Sequence, residues 1–171
     1  ANGIHHGSFR FEQGNPQLGT EWALEGRLSL RNGSRSSGWG WKTQAFAALH
    51  HGFISITPSA QFAPISHAGQ IYEFRANDAF RTGLEADVSH MTERQTWSLT
   101  ASALGQWDLQ TGLGLPFTTP TQARLSWEGR TRGGLALRLS GLALAPAVLT
   151  ARNEDTTPGA LLAYITLSQT T

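Results

Sequence analysis

Cysteine is absent from the 171 residues, which excludes a disulfide framework and any thiolate metal site. An excess of one charge sign is missing too. The 13 basic and 12 acidic residues leave a formal net charge of +1, and without a basic run the sequence carries no nucleic-acid footprint. Long hydrophobic runs are lacking. The longest nearly apolar stretch, residues 141–149, is interrupted by Pro146 and falls far short of the roughly 18 consecutive apolar residues of a spanning helix. Crossing a membrane by strands is not thereby excluded, because a barrel strand needs only about 9–11 residues of alternating character. The opening residues, Ala1 to His6, have neither the basic nor the apolar region of a signal peptide. No nucleophile elbow, Gly-rich phosphate loop or metalloprotease helix occurs, so no enzyme and no cofactor is indicated.

What the sequence has is alternation. Over residues 21–31 the even positions read Trp22, Leu24, Gly26, Leu28 and Leu30, while Glu21, Glu25, Arg27 and Arg31 occupy odd positions. Residues 80–89 set Phe80, Leu84, Ala86 and Val88 against Arg81, Glu85 and Asp87. Residues 123–130 set Ala123, Leu125 and Trp127 against Arg124, Glu128 and Arg130. In a strand the two parities face opposite ways. Chance alone would keep every charge of these three segments on one parity roughly once in a hundred trials, so the period of two is firm. Residues 97–109 repeat the pattern, residues 135–144 and 160–169 follow it more weakly, and residues 39–56 lose phase near 47–52, as at a β-bulge.

Connections alternate as well. Residues 32–38, 90–93 and 131–134 are short, whereas 57–69, 111–122 and 146–159 are longer and contain proline. Short and long connections in turn are the mark of an outer-membrane barrel, with tight periplasmic turns and longer outer loops. The expected fold is all-β: an antiparallel meander of about seven strands near 20–31, 39–56, 70–89, 94–110, 122–131, 134–145 and 160–170. Residues 1–19 would then form an outer loop. Small aliphatic residues fill the middle of the apolar face, and Trp22, Trp39, Trp41, Trp97 and Trp107 lie near strand ends, as lipid and its interfaces require. The other face mixes charge signs, with Arg81 expected to pair with Glu85 or Asp87. A soluble β-sandwich with one wet face, or a self-contained small barrel with a structural or adhesive role, would share part of this pattern.

Motifs in four places narrow the choice. Asn2-Gly3-Ile4-His5-His6-Gly7 followed by Phe9-Arg10-Phe11-Glu12-Gln13-Gly14-Asn15-Pro16 resembles an outer-loop motif of TonB-dependent outer-membrane receptors. Residues 68–74 (AGQIYEF) with 79–86 (AFRTGLEA), residues 114–120 (GLPFTTP) and residues 152–159 (RNEDTTPG) resemble later loops and strands of that family, in the same order. The resemblance implies a segment of a 22-stranded transmembrane β-barrel, its fourteenth to twentieth strands. Residues 1–171 would be a partial barrel domain lacking the plug and the closing strands. It implies a place in the outer membrane of a Gram-negative bacterium, contact with its lipid, engagement of the TonB complex through the absent plug, and energised uptake of a metal ion, haem or siderophore.

Within residues 1–19, His5, His6, Phe9, Arg10 and Glu12 are the candidate ligand contacts, and His5 and His6 the candidate metal ligands through neutral imidazole. Adjacent histidines on an extended chain point opposite ways, so one ion takes both only at a turn. Gly3 and Gly7 allow such a turn; the alternative role for the histidines is to shape the loop by hydrogen bonding. His50 and His51 lie within a strand and read as structural.

Overall fold

A computed structural model describes residues 2–5, 10–33, 38–64 and 69–169. They form one sheet of nine strands: β1 (Asn2–His5), β2 (Arg10–Gln13), β3 (Trp22–Gly33), β4 (Gly38–Phe62), β5 (Gln70–Met91), β6 (Gln95–Asp108), β7 (Gln122–Arg130), β8 (Leu135–Leu144) and β9 (Ala160–Gln169). From β3 to β9 each strand pairs antiparallel with the next, so the expected seven-strand meander is present. There is no second sheet among the described residues, as a sandwich would need, and β3 does not pair with β9, as a closed small barrel would need.

The register carries each parity from strand to strand. Leu28 lies opposite Ala45, Ala45 opposite Leu84, and Leu84 opposite Ala103. Farther on, Leu99, Leu125 and Gly141 form one row, and Trp97, Trp127, Leu139 and Ile165 another. Across the paired block from β3 to β9 this face bears no Lys, Arg or Glu. Its one Asp is Asp78, which lies at the β4 bulge two residues beyond Phe80 and meets His51 at 2.8 Å, so the face is charge-free from Phe80 to the tight turns. Its polar rings are His51, beside Trp22 at 5.6 Å, and His90, beside Trp39 at 4.8 Å. The other charged residues of the block fall on the opposite face.

Two aromatic rows border the apolar face. Phe80 and Trp107 stack at 5.9 Å near the long-loop end, and Trp97 and Trp127 meet at 6.2 Å near the tight-turn end. Ten residues separate Trp97 from Trp107. At about 3.3 Å per residue that is roughly 33 Å along the strand, or about 25 Å in height at the usual tilt of outer-membrane strands, the height of their apolar band. Nor is there a hydrophobic core. Among the described residues the buried apolar side chains are Ala48, Ala79, Leu115 and Ala151, whereas Leu125 is 52% exposed and Ile165 77%. A soluble domain of this size buries its large aliphatics; here most of them lie exposed on the apolar face, with Leu104, Leu142, Leu144 and Leu162 on the charged one.

Two features differ from the expected boundaries. The phase slip in β4 is a register shift between His50 and Phe53, with Gly52 at φ +66°, and β4 then runs on to Phe62 instead of ending near 56. It does so because the start of β5 continues to pair with it: Thr57 faces Glu73 and Pro58 faces Tyr72, with a second irregularity after the proline, which donates no ladder bond. The segment expected as an outer loop also contains β1 and β2. They pair with each other, and β2 runs parallel to β5, Phe11 opposite Ile71 and Gln13 opposite Glu73. Since β4 holds one edge of β5 at those residues and β6 stops at the Ala79–Asp108 pair, β2 takes the edge that β6 leaves free.

Candidate functional site

The chemistry concentrates at the long-loop end, where three segments fasten to one another. Asp108 ends β6 and organises the turn after it. Its Oδ1 accepts the N–H groups of Gln110 (2.8 Å) and Thr111 (3.1 Å), and its other oxygen accepts from the Asn77 amide. A short polar side chain that bonds the backbone two residues on is the general means of starting such a turn. The chain then returns along β6: Leu115 N donates to the Gln106 carbonyl at 3.0 Å, and Gly114 N to Thr150 at 3.0 Å. A Cβ on Gly114 would stand 2.8 Å from the Leu149 carbonyl carbon, so glycine is required for this approach.

The loop between β8 and β9 locks onto it. Glu154 accepts Phe117 N–H on one carboxylate oxygen (3.0 Å) and Ala151 N–H on the other (2.9 Å), and Asn153 donates to the Pro58 carbonyl of β4 at 3.1 Å. Between these segments lies a cavity of about 150 Å³ of mixed lining, with Ser55, Asn77, Asp108 and Arg152 on its polar side and Leu115 and Ala151 on its apolar side. The Ser55 hydroxyl is buried there with no hydrogen-bond partner among the described residues, and the space beside it is large enough to admit water.

The first hairpin is strapped to the same region. Arg10 Nε donates to Glu12 at 2.9 Å, and its guanidinium lies over the rings of Tyr72 (5.1 Å) and Phe117 (5.4 Å), which stack on each other at 6.1 Å. Asn15 donates to the Phe74 carbonyl at 3.3 Å. Of the expected ligand contacts, Arg10 and Glu12 are thus committed to holding the hairpin. His5 falls in β1 with its backbone opposite Arg10; the His5 side chain, His6, Phe9 and also His67 lie outside the described residues. Among the described residues no three His, Asp or Glu side chains come together as a metal site. Cation–π contact is worth about 0.5–2 kcal/mol depending on exposure. Arg10→Ala should therefore raise amide exchange at residues 10–13 by about tenfold, with the β6–β8 ladder unaffected. Unchanged exchange there would mean that the strap does not hold the hairpin.

The charged face is knitted along strands more than across them. Glu25 and Arg27 pair at 2.8 Å and Glu73 and Arg75 at 2.7 Å, while Glu128 accepts from Arg130 at 2.7 Å and from Arg138 on the neighbouring strand. The pairing expected of Arg81 with Glu85 or Asp87 is not made. Arg81 Nε donates to Gln106 at 2.6 Å, directly opposite, and Asp87 accepts from Thr100 at 2.9 Å. His50 meets Glu21 at 3.1 Å and His51 meets Asp78 at 2.8 Å, the structural roles expected of them.

No protein-family model and no curated protein sequence matches the chain. Solved structures do. The copper transporter OprC superposes with a TM-score of 0.75 at 14% identity, over 88% of this chain and 24% of its own. The FrpB iron transporter from Neisseria meningitidis gives 0.66 at 13% identity, over 96% and 27%. A mutant of the ferric enterobactin receptor PfeA from Pseudomonas aeruginosa gives 0.63 at 15% identity, over 91% and 24%. All three are TonB-dependent receptors. The fold is that of part of a TonB-dependent receptor barrel. The chain spans about a quarter of the length of those receptors. In a receptor barrel of this kind the apolar, aromatic-bordered face is the outer wall and the charged face the lumen wall, the division that the register draws here. Glu154 and Asn153, which join the long loops, carry no alternation signal, and only the resemblance of residues 114–120 and 152–159 marked their surroundings; Asp108 falls on the polar parity of residues 97–109.

Proposed function

We propose that the chain is a stretch of the barrel wall of a TonB-dependent receptor in the outer membrane of a Gram-negative bacterium, importing a metal ion, haem or a metal chelate. The observation that carries this is a face free of charge between aromatic rows ten residues apart, with the charges of that stretch all opposite. Copper, iron and ferric enterobactin, named for the three neighbours, support this substrate class. In this reading the tight turns face the periplasm, the joined loops face outward, and a plug coupled to the TonB complex sits against the lumen wall within a 22-stranded barrel. Import requires no reaction at a side chain; the wall's part is to admit the ligand past its outer loops and present polar groups to it.

Uptake of radiolabelled copper, iron, haem and ferric chelates, compared between cells with and without the full-length gene, tests this. Loss of one uptake activity on deletion, together with its collapse under an uncoupler, is expected. Four unchanged uptake rates would overturn it. His5 and His6, with Phe9 beside them in sequence, are the proposed ligand contacts of the first hairpin. Their replacement by alanine in the full-length receptor should weaken ligand binding by about tenfold, or 1.4 kcal/mol. An unchanged titration would leave them as scaffold.

A further inference from the structure

We propose that the tight-turn rim between β6 and β8 binds one anionic glycerophospholipid, its phosphate on Arg94 and Arg132 and one acyl chain along Trp127 and Leu137. The inference rests on the reading of these strands as membrane-spanning. A groove of about 430 Å³ opens at this rim, walled by Trp127, Leu135, Leu137 and Leu167 on the charge-free face, with Arg94 and Arg130 at its end. Gly129 shapes its floor. The Trp127 ring stands 2.7 Å from where a Cβ of that residue would be, so the indole lies flat across the glycine and leaves an apolar shelf. The groove sits one residue row beyond the Trp97–Trp127 pair, the level at which interfacial aromatics give way to headgroups.

The cationic end is built by two turns fastened together. Arg130 N donates to the Arg94 carbonyl at 2.8 Å, and Thr131 N to Leu135 at 2.8 Å. The Arg130 guanidinium is drawn to Glu128 on the opposite face. Arg94 and Arg132 are exposed and make no ion pair among the described residues, and Glu93 is the one acidic residue in either turn. Planar guanidinium forks suit phosphate oxygens, and an apolar groove with Arg94 at its end, and Arg132 in the turn that follows Thr131 of its lining, complements an amphiphile with an anionic head.

Native mass spectrometry of the full-length protein in detergent, with added phosphatidylglycerol or phosphatidylcholine, tests the site. The parent should retain phosphatidylglycerol about tenfold more than phosphatidylcholine, and Arg94→Gln/Arg132→Gln should bring that ratio close to one. Leu137→Trp, which fills the groove and spares the arginines, should lower retention of both lipids. The heat-modifiable shift on electrophoresis reports that each variant is folded. Equal retention of the two lipids by the parent, or a ratio unchanged by the arginine substitutions, would overturn the site. Recovery of the protein outside the membrane fraction would overturn the transmembrane reading and the site with it, whereas membrane insertion without lipid preference would remove only the site.

Discussion

Leu84→Arg should prevent stable insertion of the full-length protein, and Ser102→Arg should not. The two positions lie at similar depth on neighbouring strands but on opposite faces: Leu84 is opposite Ala103, while Ser102 is opposite Glu85. Leu84 stands about midway between the Phe80–Trp107 row and the Trp39–His90 pair, 50% exposed on the charge-free face. An arginine turned to lipid at that depth costs about 2–4 kcal/mol. That is roughly a 30- to 900-fold shift against the inserted state. Arginine at 102 would sit on the charged face beside Glu85, which makes no ion pair among the described residues, and would gain a partner. Urea titration of each variant in lipid vesicles, followed by the heat-modifiable shift, measures the difference. Equal midpoints for the two would show that the charge-free face does not meet lipid.

The same parity argument explains what was legible in the sequence. A residue's face is a local property fixed by the period of two, so the seven meander strands, the two faces and the slip near Gly52 could all be read from alternation and turn residues. Which charge meets which is less local. Arg81 and Glu85 share a face but are four residues apart, about 13 Å along a strand, whereas a directly opposite residue is only about 5 Å away. Gln106 therefore wins Arg81, and the ion pairs that do form within a strand join residues two apart, as in Glu25–Arg27, Glu73–Arg75 and Glu128–Arg130. Pairing between remote segments lay beyond the alternation altogether. β2 finds its place because β6 stops at Asp108 and leaves an edge of β5 open, a fact about a strand that ends 95 residues beyond Gln13. The loop contacts made by Glu154 and Asn153 are of the same kind: single side chains meeting backbone groups of distant segments, with no period to announce them.

Those loop contacts support the second large effect. Glu154→Ala should release the long loops from each other while leaving the ladders of β6 to β9 intact. The carboxylate accepts two backbone N–H groups, from Phe117 and Ala151, and thereby ties the loop after β8 to the loop after β6. A hydrogen bond to a charged group contributes about 1.5–3 kcal/mol, and part of that returns when water solvates the freed amides. A net loss of about 2–3 kcal/mol in loop closure follows, or roughly a 30- to 150-fold rise in opening. Gly114→Val should act on the same joint by a different cause. Its side chain would meet the Leu149–Thr150 backbone at under 3 Å, and because backbone cannot swing aside as a long side chain can, the bridge from Gly114 to Trp107 and Thr150 must give way. Hydrogen exchange of the full-length protein should then speed up at residues 113–118 and 147–154 in both variants, with residues 96–106 and 136–143 protected as before. Glu154→Gln, which keeps a single carbonyl acceptor, should fall between parent and alanine. If exchange in the two loops stays at the parent rate in both variants, they are held by the burial of Leu115 and Ala151 alone. Faster exchange confined to the loops would mean that they can part while the ladders of β6 to β9 stay paired, as the proposed admission of a ligand from outside requires.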